Sequence, residues 1–85
     1  MRHGLRFDGV LFSVYPRDHL PRHAHGAYGE VVAIVEFWPG GARLAERRDA
    51  VTPANAKRSD VMKVVRAAIL HEVELNRLWE ETHGR

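Results

Sequence analysis

Residues 31–38 read VVAIVEFW, and this stretch decides how the rest of the chain is arranged. β-Branched and aromatic residues fill it and the turn-forming sequence Pro39-Gly40-Gly41 follows directly, so a strand is predicted. Its apolar residues run almost without a break, which is typical of a strand covered on both faces. Glu36 interrupts the run on the face of Val32 and Ile34, where its carboxylate is expected either at the rim of the sheet or paired with a His or Arg.

Further strands are predicted on both sides of this stretch. The run VLFSVY, at the start of the chain, alternates apolar residues on two faces, and the turn signal Asp8-Gly9 before it allows a short leading strand. The candidate segments are residues 5–7, 10–15, 23–28 and 42–46. We expect an antiparallel sheet of three to four strands within about residues 5–46.

The segment from about residue 53 to 83 is predicted to be helical. Thr52 can cap a helix and Pro53 suits its first turn, and Ser59-Asp60 offers a second start. A mostly apolar stripe then recurs at steps of three and four, through Val61, Val64, Ala68, His71, Leu75 and Leu78. Gly84 can end the helix. The expected fold is α+β, a single domain of residues 1–85 whose small sheet is followed by an amphipathic helix, or a helix pair, on one face.

The composition narrows the class of protein. With 85 residues one domain is expected, and the absence of cysteine excludes disulfides, thiolate catalysis and cysteine zinc sites. The apolar run near the N-terminus is too short for a signal peptide or a membrane span, so we expect a cytoplasmic protein without membrane contact. The net charge is only +2, but residues 42–66 hold seven Lys and Arg against three Asp and Glu. This basic middle suits nucleic acid or an acidic partner, or is a solvated surface.

Half of the six histidines lie within residues 17–25, RDHLPRHAH. His23 and His25 are two apart on a predicted strand and project from the same face, while His19 lies beside Asp18 on the loop that enters it. His19, His23 and His25 can bind zinc or another divalent metal. His23 and His25 can instead act as base and acid in metal-free RNA cleavage, or the cluster can hold the loop by hydrogen bonds. The sequence leaves these interpretations open.

His71 interrupts the apolar stripe of the predicted helix. A histidine on a buried face needs a hydrogen-bond partner, and most such residues are satisfied core histidines. The alternative makes His71 a fourth member of the histidine cluster. His71-Glu72 begins like a metalloprotease motif, but the second histidine of that motif is missing, so zinc protease chemistry is not supported.

Two motifs carry a family resemblance. The first is Asp18-His19-Leu20-Pro21-Arg22-His23-Ala24-His25 followed by Tyr28-Gly29, and the second is His71-x-x-Glu74-Leu75-x-x-x-Trp79. In order and separation they resemble the signature of a bacterial family of unknown function, family 4160 (DUF4160). Arg22 stands where that family has a second proline, and the segment 43–59 is longer and more charged than its usual connection. The resemblance implies motif or binding positions at Asp18, His19, Tyr28, His71 and Glu74.

The resemblance implies no activity and no catalytic residues. It implies a small bacterial protein that is often encoded beside a second small protein, of family 2442, in an arrangement like a toxin–antitoxin pair. The leading hypothesis is therefore a toxin–antitoxin-like component that binds a cognate small protein, or a second copy of itself, through an open sheet edge or an apolar patch.

Two other functions remain as alternatives. One is an RNA-directed, ribonuclease-like enzyme with His23 and His25 as the catalytic pair, whose phosphate contacts are Arg22, Arg47 and Arg48. The same arginines suit an acidic protein partner. The other alternative is a metal-binding domain for a divalent ion such as zinc, and no other cofactor is indicated. The sequence does not decide whether the protein is an enzyme.

Overall fold

The computed structural model describes residues 4–84 and has an α+β fold. Six strands form one antiparallel sheet and two helices follow it, with the bounds β1 Gly4–Phe7, β2 Val10–Ser13, β3 His23–Tyr28, β4 Val31–Trp38, β5 Gly41–Leu44, β6 Val51–Thr52, α1 Arg58–Leu70 and α2 Glu72–Thr82. The α+β class and the order of sheet before helices are confirmed, whereas the expected three to four strands are too few. None of the helices described is long and apolar enough to cross a bilayer.

β4 organises the sheet, because it pairs with three other strands. The strand order is β1-β2-β3-β4-β5, and β6 pairs with β4 as well. β3 follows one side of β4 from His23↔Glu36 to Tyr28↔Val31. β5 and β6 share the other side, where β5 pairs with residues 35–38 and β6 with residues 32–33. The predicted strand VVAIVEFW is therefore the centre of the sheet.

The β1–β2 hairpin turns at Asp8-Gly9, as the sequence predicts. Asp8 has φ 54° and Gly9 has φ 81°, the left-handed pair of a two-residue turn whose twist matches that of the strands it joins. Phe7 and Val10 flank the turn as direct partners. The short leading strand expected before the turn is β1.

The predicted start of the helical region at Thr52-Pro53 is wrong. Thr52 belongs to β6 and pairs with Val32 of β4, and α1 begins only at Arg58. Pairing with β4 holds Thr52 extended, which is also the conformation that a following proline favours. Of the two forms expected for the helical region, the structure has the helix pair, with α1 and α2 separated at His71 (φ −118°, ψ 29°). Gly84 follows α2 with φ 67°, as expected of a residue that ends a helix.

The main core lies between the sheet and the helix pair. Strand residues such as Phe12 and Val35 meet Val64 and Leu75 there, and all four are fully buried. Gly26 of β3 sits where this packing is closest: a Cβ atom at this position would collide with Val64 and lie within 2.9 Å of the Phe12 ring. A side chain at position 26 would therefore displace α1 from the sheet.

The opposite face of β4 is covered by the chain between β5 and β6. Ala45 donates its backbone N–H to the Ile34 carbonyl at 2.9 Å, and Ile34 donates its own to the Ala50 carbonyl at 2.7 Å. These three residues form a second, smaller buried cluster. Both faces of β4 are therefore covered, as its continuous apolar run predicts, and the remaining outer face of the sheet carries His23 and His25.

Candidate functional site

The loop between β2 and β3 carries the first part of the RDHLPRHAH motif. Asp18 closes a turn in it, because the Tyr15 backbone N–H donates to Asp18 Oδ2 at 3.0 Å and the Asp18 N–H donates to the Tyr15 carbonyl at 3.0 Å. His83 Nε2 reaches the Asp18 carbonyl at 3.1 Å from the end of α2. The loop is thus bonded both to itself and to the helix layer, and its Leu20–Pro21 peptide bond is cis.

His23 is hydrogen-bonded to this loop through one ring nitrogen and faces a carboxylate of the loop with the other. Nδ1 lies 2.9 Å from the Pro21 carbonyl oxygen, and Nε2 lies 3.6 Å from Asp18 Oδ1. A carbonyl oxygen only accepts, so Nδ1 carries a hydrogen. Nε2 faces the Asp18 carboxylate at a distance too long for a hydrogen bond. The His23 side chain is only 12% exposed, which is consistent with a role in holding the loop.

His25 lies on the same face of β3 as His23, as the two-residue spacing predicts. Their ring centroids are 5.7 Å apart, and the Tyr15 ring packs edge-on against His25 at 5.2 Å. Nδ1 of His25 is buried and has no hydrogen-bond partner among residues 4–84. The imidazole pair is therefore assembled, with His25 the less constrained of the two rings.

A cleft of about 270 Å³ lies between the loop and the outer face of the sheet. Its charged and titratable lining consists of two guanidinium groups, two carboxylates and two imidazoles, from Arg17, Asp18, His19, His23, Glu36 and Arg47. The cleft therefore brings together several residues of the motif with two residues that are distant in sequence. Its mixed charge gives no clear preference for an anion or a cation.

Glu36 reaches this cleft from the centre of the sheet. It is directly opposite His23 on one side and Arg43 on the other. Arg43 Nε donates to Glu36 Oε1 at 3.2 Å, and the carboxylate side chain is only 16% exposed. Of the two positions expected for Glu36, the structure has the paired one.

Arg47 lines the cleft but is engaged by a neighbour. Its Nε donates to Asp49 Oδ1 at 2.6 Å and its Nη2 to Asp49 Oδ2 at 3.1 Å. This hydrogen-bonded ion pair raises the pKa of Arg47 and holds the pKa of the Asp49 carboxyl below its usual range. Arg48 next to it is exposed.

A second, wider hollow of about 630 Å³ lies on the other side of the same loop, against α2. Leu20 and His19 line it from the loop, and Trp79 and His83 line it from the helix. The loop therefore forms a wall between two hollows. His19 is exposed and contributes to both.

Arg22 points away from the cleft and towards α2. Its Nη1 donates to Asn76 Oδ1 at 2.7 Å and its Nη2 to Glu80 Oε2 at 3.2 Å. Asn76, the buried polar residue of α2, in turn donates to the Glu72 carbonyl at 2.8 Å.

The rings of His23 and Trp79 also lie close to each other here, with centroids 5.7 Å apart. The two motifs that resemble family 4160 therefore meet in space. Asn76 is not among the site residues that the sequence predicts. The one indication of it is that a polar residue stands beside Leu75 on an otherwise apolar stripe.

His71 lies away from the histidine pair, against the β1–β2 hairpin. It stacks on Phe7 with ring centroids 4.2 Å apart, and its Nε2 donates to Asp8 Oδ2 at 3.3 Å. Its Nδ1 lies 3.9 Å from Glu74. His71 is thus a hydrogen-bonded, half-buried residue that joins the hairpin to the helix, and it is not a fourth member of the histidine cluster.

Tyr28 lies at the far end of β3, away from the histidine pair. Its ring is covered by Lys63, whose Nζ lies 5.7 Å from the ring centroid.

The metal hypothesis depends on three ligands converging. Among residues 4–84, no three or more His, Cys, Asp or Glu side chains form a group that could hold a metal ion. His19, His23 and His25 therefore do not form such a group in this structure, because His19 lies out on the loop while the other two are on the strand.

Ile69, Leu70 and Val73, together called the aliphatic patch, lie at the junction of α1 and α2. They are 49%, 73% and 57% exposed. Ile69 and Leu70 end α1 and Val73 lies in the first turn of α2, so the three exposed side chains fall within five residues of the chain at this junction. The sequence does not predict this patch, because a long apolar stripe does not indicate which of its residues the sheet covers and which remain exposed.

No protein-family model matches the chain, and no curated protein or solved structure is significantly similar to it. The motif resemblance to family 4160 therefore stays a prediction.

Proposed function

We propose that this protein binds a cognate small protein, as one component of a bacterial two-gene module of the toxin–antitoxin type. The aliphatic patch is the observation that carries the proposal. Single exposed apolar side chains are ordinary on a protein surface, whereas three large ones within five residues of the chain suit a surface that another protein covers. Leu70 at 73% exposure lies where such a partner would gain most from burial.

The bonding of the motif residues supports binding more than catalysis. Asp18 and His23 bond within the loop, and Arg22 bonds to Asn76. A general base needs a ring nitrogen within reach of a substrate proton, and both ring nitrogens of His23 already face protein oxygens. The motif then serves to join the sheet to α2, which holds the helix surface in place. The resemblance to family 4160 supports the two-gene arrangement.

The proposal is tested with the purified product of the gene adjacent to this one. We expect a complex by titration calorimetry, and we expect Leu70→Asp/Val73→Asp to weaken it at least tenfold because two buried aliphatic anchors become charged. Leu20→Asp is the matched control, since Leu20 is 76% exposed on the loop and away from the patch. A wild-type chain that stays monomeric and does not bind the adjacent gene product would overturn the proposal.

An RNA-directed enzyme is the second candidate, because Arg47 lines the same cleft as His23. Asp18 and Glu36 line it too and repel phosphate, and Arg22 bonds to α2 instead. This candidate requires that His23→Ala/His25→Ala abolish RNA cleavage by the purified protein. An RNA decay rate equal to that of wild type would remove it.

A further inference from the structure

The solvent side of α1 carries a row of three cations, and the aliphatic patch begins at the end of this helix. Arg58, Lys63 and Arg66 are all exposed. At 100° per residue they lie on the same side of the helix as Ile69 and Leu70 and opposite the buried side of Val64 and Ala68. The row of cations therefore leads along α1 to Ile69 and Leu70 of the aliphatic patch, and Val73 follows in the first turn of α2.

The cations of this row are not neutralised by any acidic residue within positions 4–84. The structure shows no ion pair for Arg58, Lys63 or Arg66 among residues 4–84, whereas Arg22, Arg43 and Arg47 each have an acidic partner. The single acidic residue of α1 is Asp60, which the helical spacing places off this side, near the buried one. Lys63 Nζ lies 5.7 Å from the centroid of the Tyr28 ring, and no carboxylate of α1 lies on the same side as the three cations.

We infer that this surface docks an acidic segment of a partner protein that carries aliphatic side chains at one end. The inference rests on the proposed function and adds the chemistry of the partner. Carboxylates along the segment would meet Arg58, Lys63 and Arg66, and its aliphatic end would cover Leu70 and Val73. The part of the surface on α1, from residue 58 to 70, is about 20 Å long at about 1.5 Å per residue, which matches three to four turns of a helix.

Nucleic acid fits this surface less well. Phosphates suit the cationic row, but single-stranded nucleic acid also stacks its bases on aromatic side chains. The end of the row offers Ile69, Leu70 and Val73, which have no aromatic face. A nucleic acid would leave the aliphatic patch open to water, whereas an amphipathic acidic segment covers both parts of the surface.

The test reverses charge on the row. Arg58→Glu/Arg66→Glu is compared with Arg6→Glu/Arg17→Glu, which makes the same change in net charge at exposed positions outside the helix pair. The probe is the purified product of the adjacent gene, and circular dichroism checks that each variant is folded. We expect the first variant to weaken binding at least tenfold, mainly through slower association, and the second to bind like wild type. Wild-type binding should also weaken as NaCl is raised towards about 0.5 M.

The outcomes separate the inference from the proposed function. If wild type binds and both charge variants bind equally well, the acidic-segment inference is overturned and partner binding stands. If folded wild type does not bind the adjacent gene product, both fail. An RNA oligonucleotide of about 20 nucleotides is titrated in parallel. If RNA binding is lost in Arg58→Glu/Arg66→Glu while protein binding is unchanged, the row is a nucleic-acid contact and the inference is overturned.

Discussion

Asp49 shows how a single exposed residue responds to its neighbour. The fork of hydrogen bonds from Arg47, with the opposite charge as a further cause, holds the pKa of its carboxyl below the ordinary value of 3.8. A carboxyl whose folded pKa is depressed stabilises the fold above its unfolded pKa, and this contribution is lost as pH falls through the folded pKa. Both side chains are solvent-exposed, so the effect on overall stability is small.

The shift itself is measurable by following the Asp49 carboxyl carbon in an NMR pH titration. We expect its midpoint below 3.8 in wild type and a return towards 3.8 in Arg47→Ala, because the donor and the positive charge are both removed. Arg48→Ala is the matched control. An unchanged Asp49 midpoint in Arg47→Ala would contradict the ion pair.

At the scale of elements, the end of α2 and the loop before β3 are joined by one ring. His83 Nδ1 lies 2.9 Å from the Trp79 carbonyl oxygen and Nε2 lies 3.1 Å from the Asp18 carbonyl oxygen. The ring of His83 thus lies between two carbonyl oxygens, one from α2 and one from the loop. It also stacks on Trp79 with ring centroids 3.9 Å apart.

We expect His83→Ala to lower the free energy of unfolding by about 1–3 kcal/mol, because the contacts of the ring with two carbonyl oxygens and its stacking on Trp79 are lost. Urea denaturation measures the change. His19→Ala on the same loop should change the free energy of unfolding by less than about 0.5 kcal/mol, since His19 is exposed. Equal free energies of unfolding for the two variants would show that the contact of His83 with the loop does not stabilise the fold.

Elements defined by local patterns were predictable, and those defined by distant pairing were not. β4 follows from its β-branched run, and the β1–β2 hairpin follows from Asp8-Gly9. β6 has only two residues, and it forms by pairing with residues 32–33 of β4, which β5 does not reach. No local sequence pattern predicts this pairing. The same pairing moved the start of α1 from the expected Thr52-Pro53 to Arg58.

At the scale of the whole molecule, the candidate site divides in the same way. The shared face of His23 and His25 follows from strand alternation, and the closeness of Asp18 follows from the short loop. The contacts Arg22–Asn76 and His83–Asp18 join residues 54 and 65 positions apart in the sequence. These contacts form because one side of α2 lies over the loop. The packing of both helices against the sheet determines which side that is. The mixed lining of the cleft could not be predicted for the same reason, because Arg47 reaches it only through the turn that covers Ile34.

The position of β4 also determines how the chain opens. Its backbone amides are bonded to β3 on one side and to β5, β6 or the 45–50 turn on the other, beneath side chains on both faces. Ala33 and Val35 are fully buried, so fraying of an end or of a single helix leaves their amides paired. We therefore expect hydrogen exchange at these two positions to require unfolding of the sheet, and its rate to report the stability of the molecule as a whole.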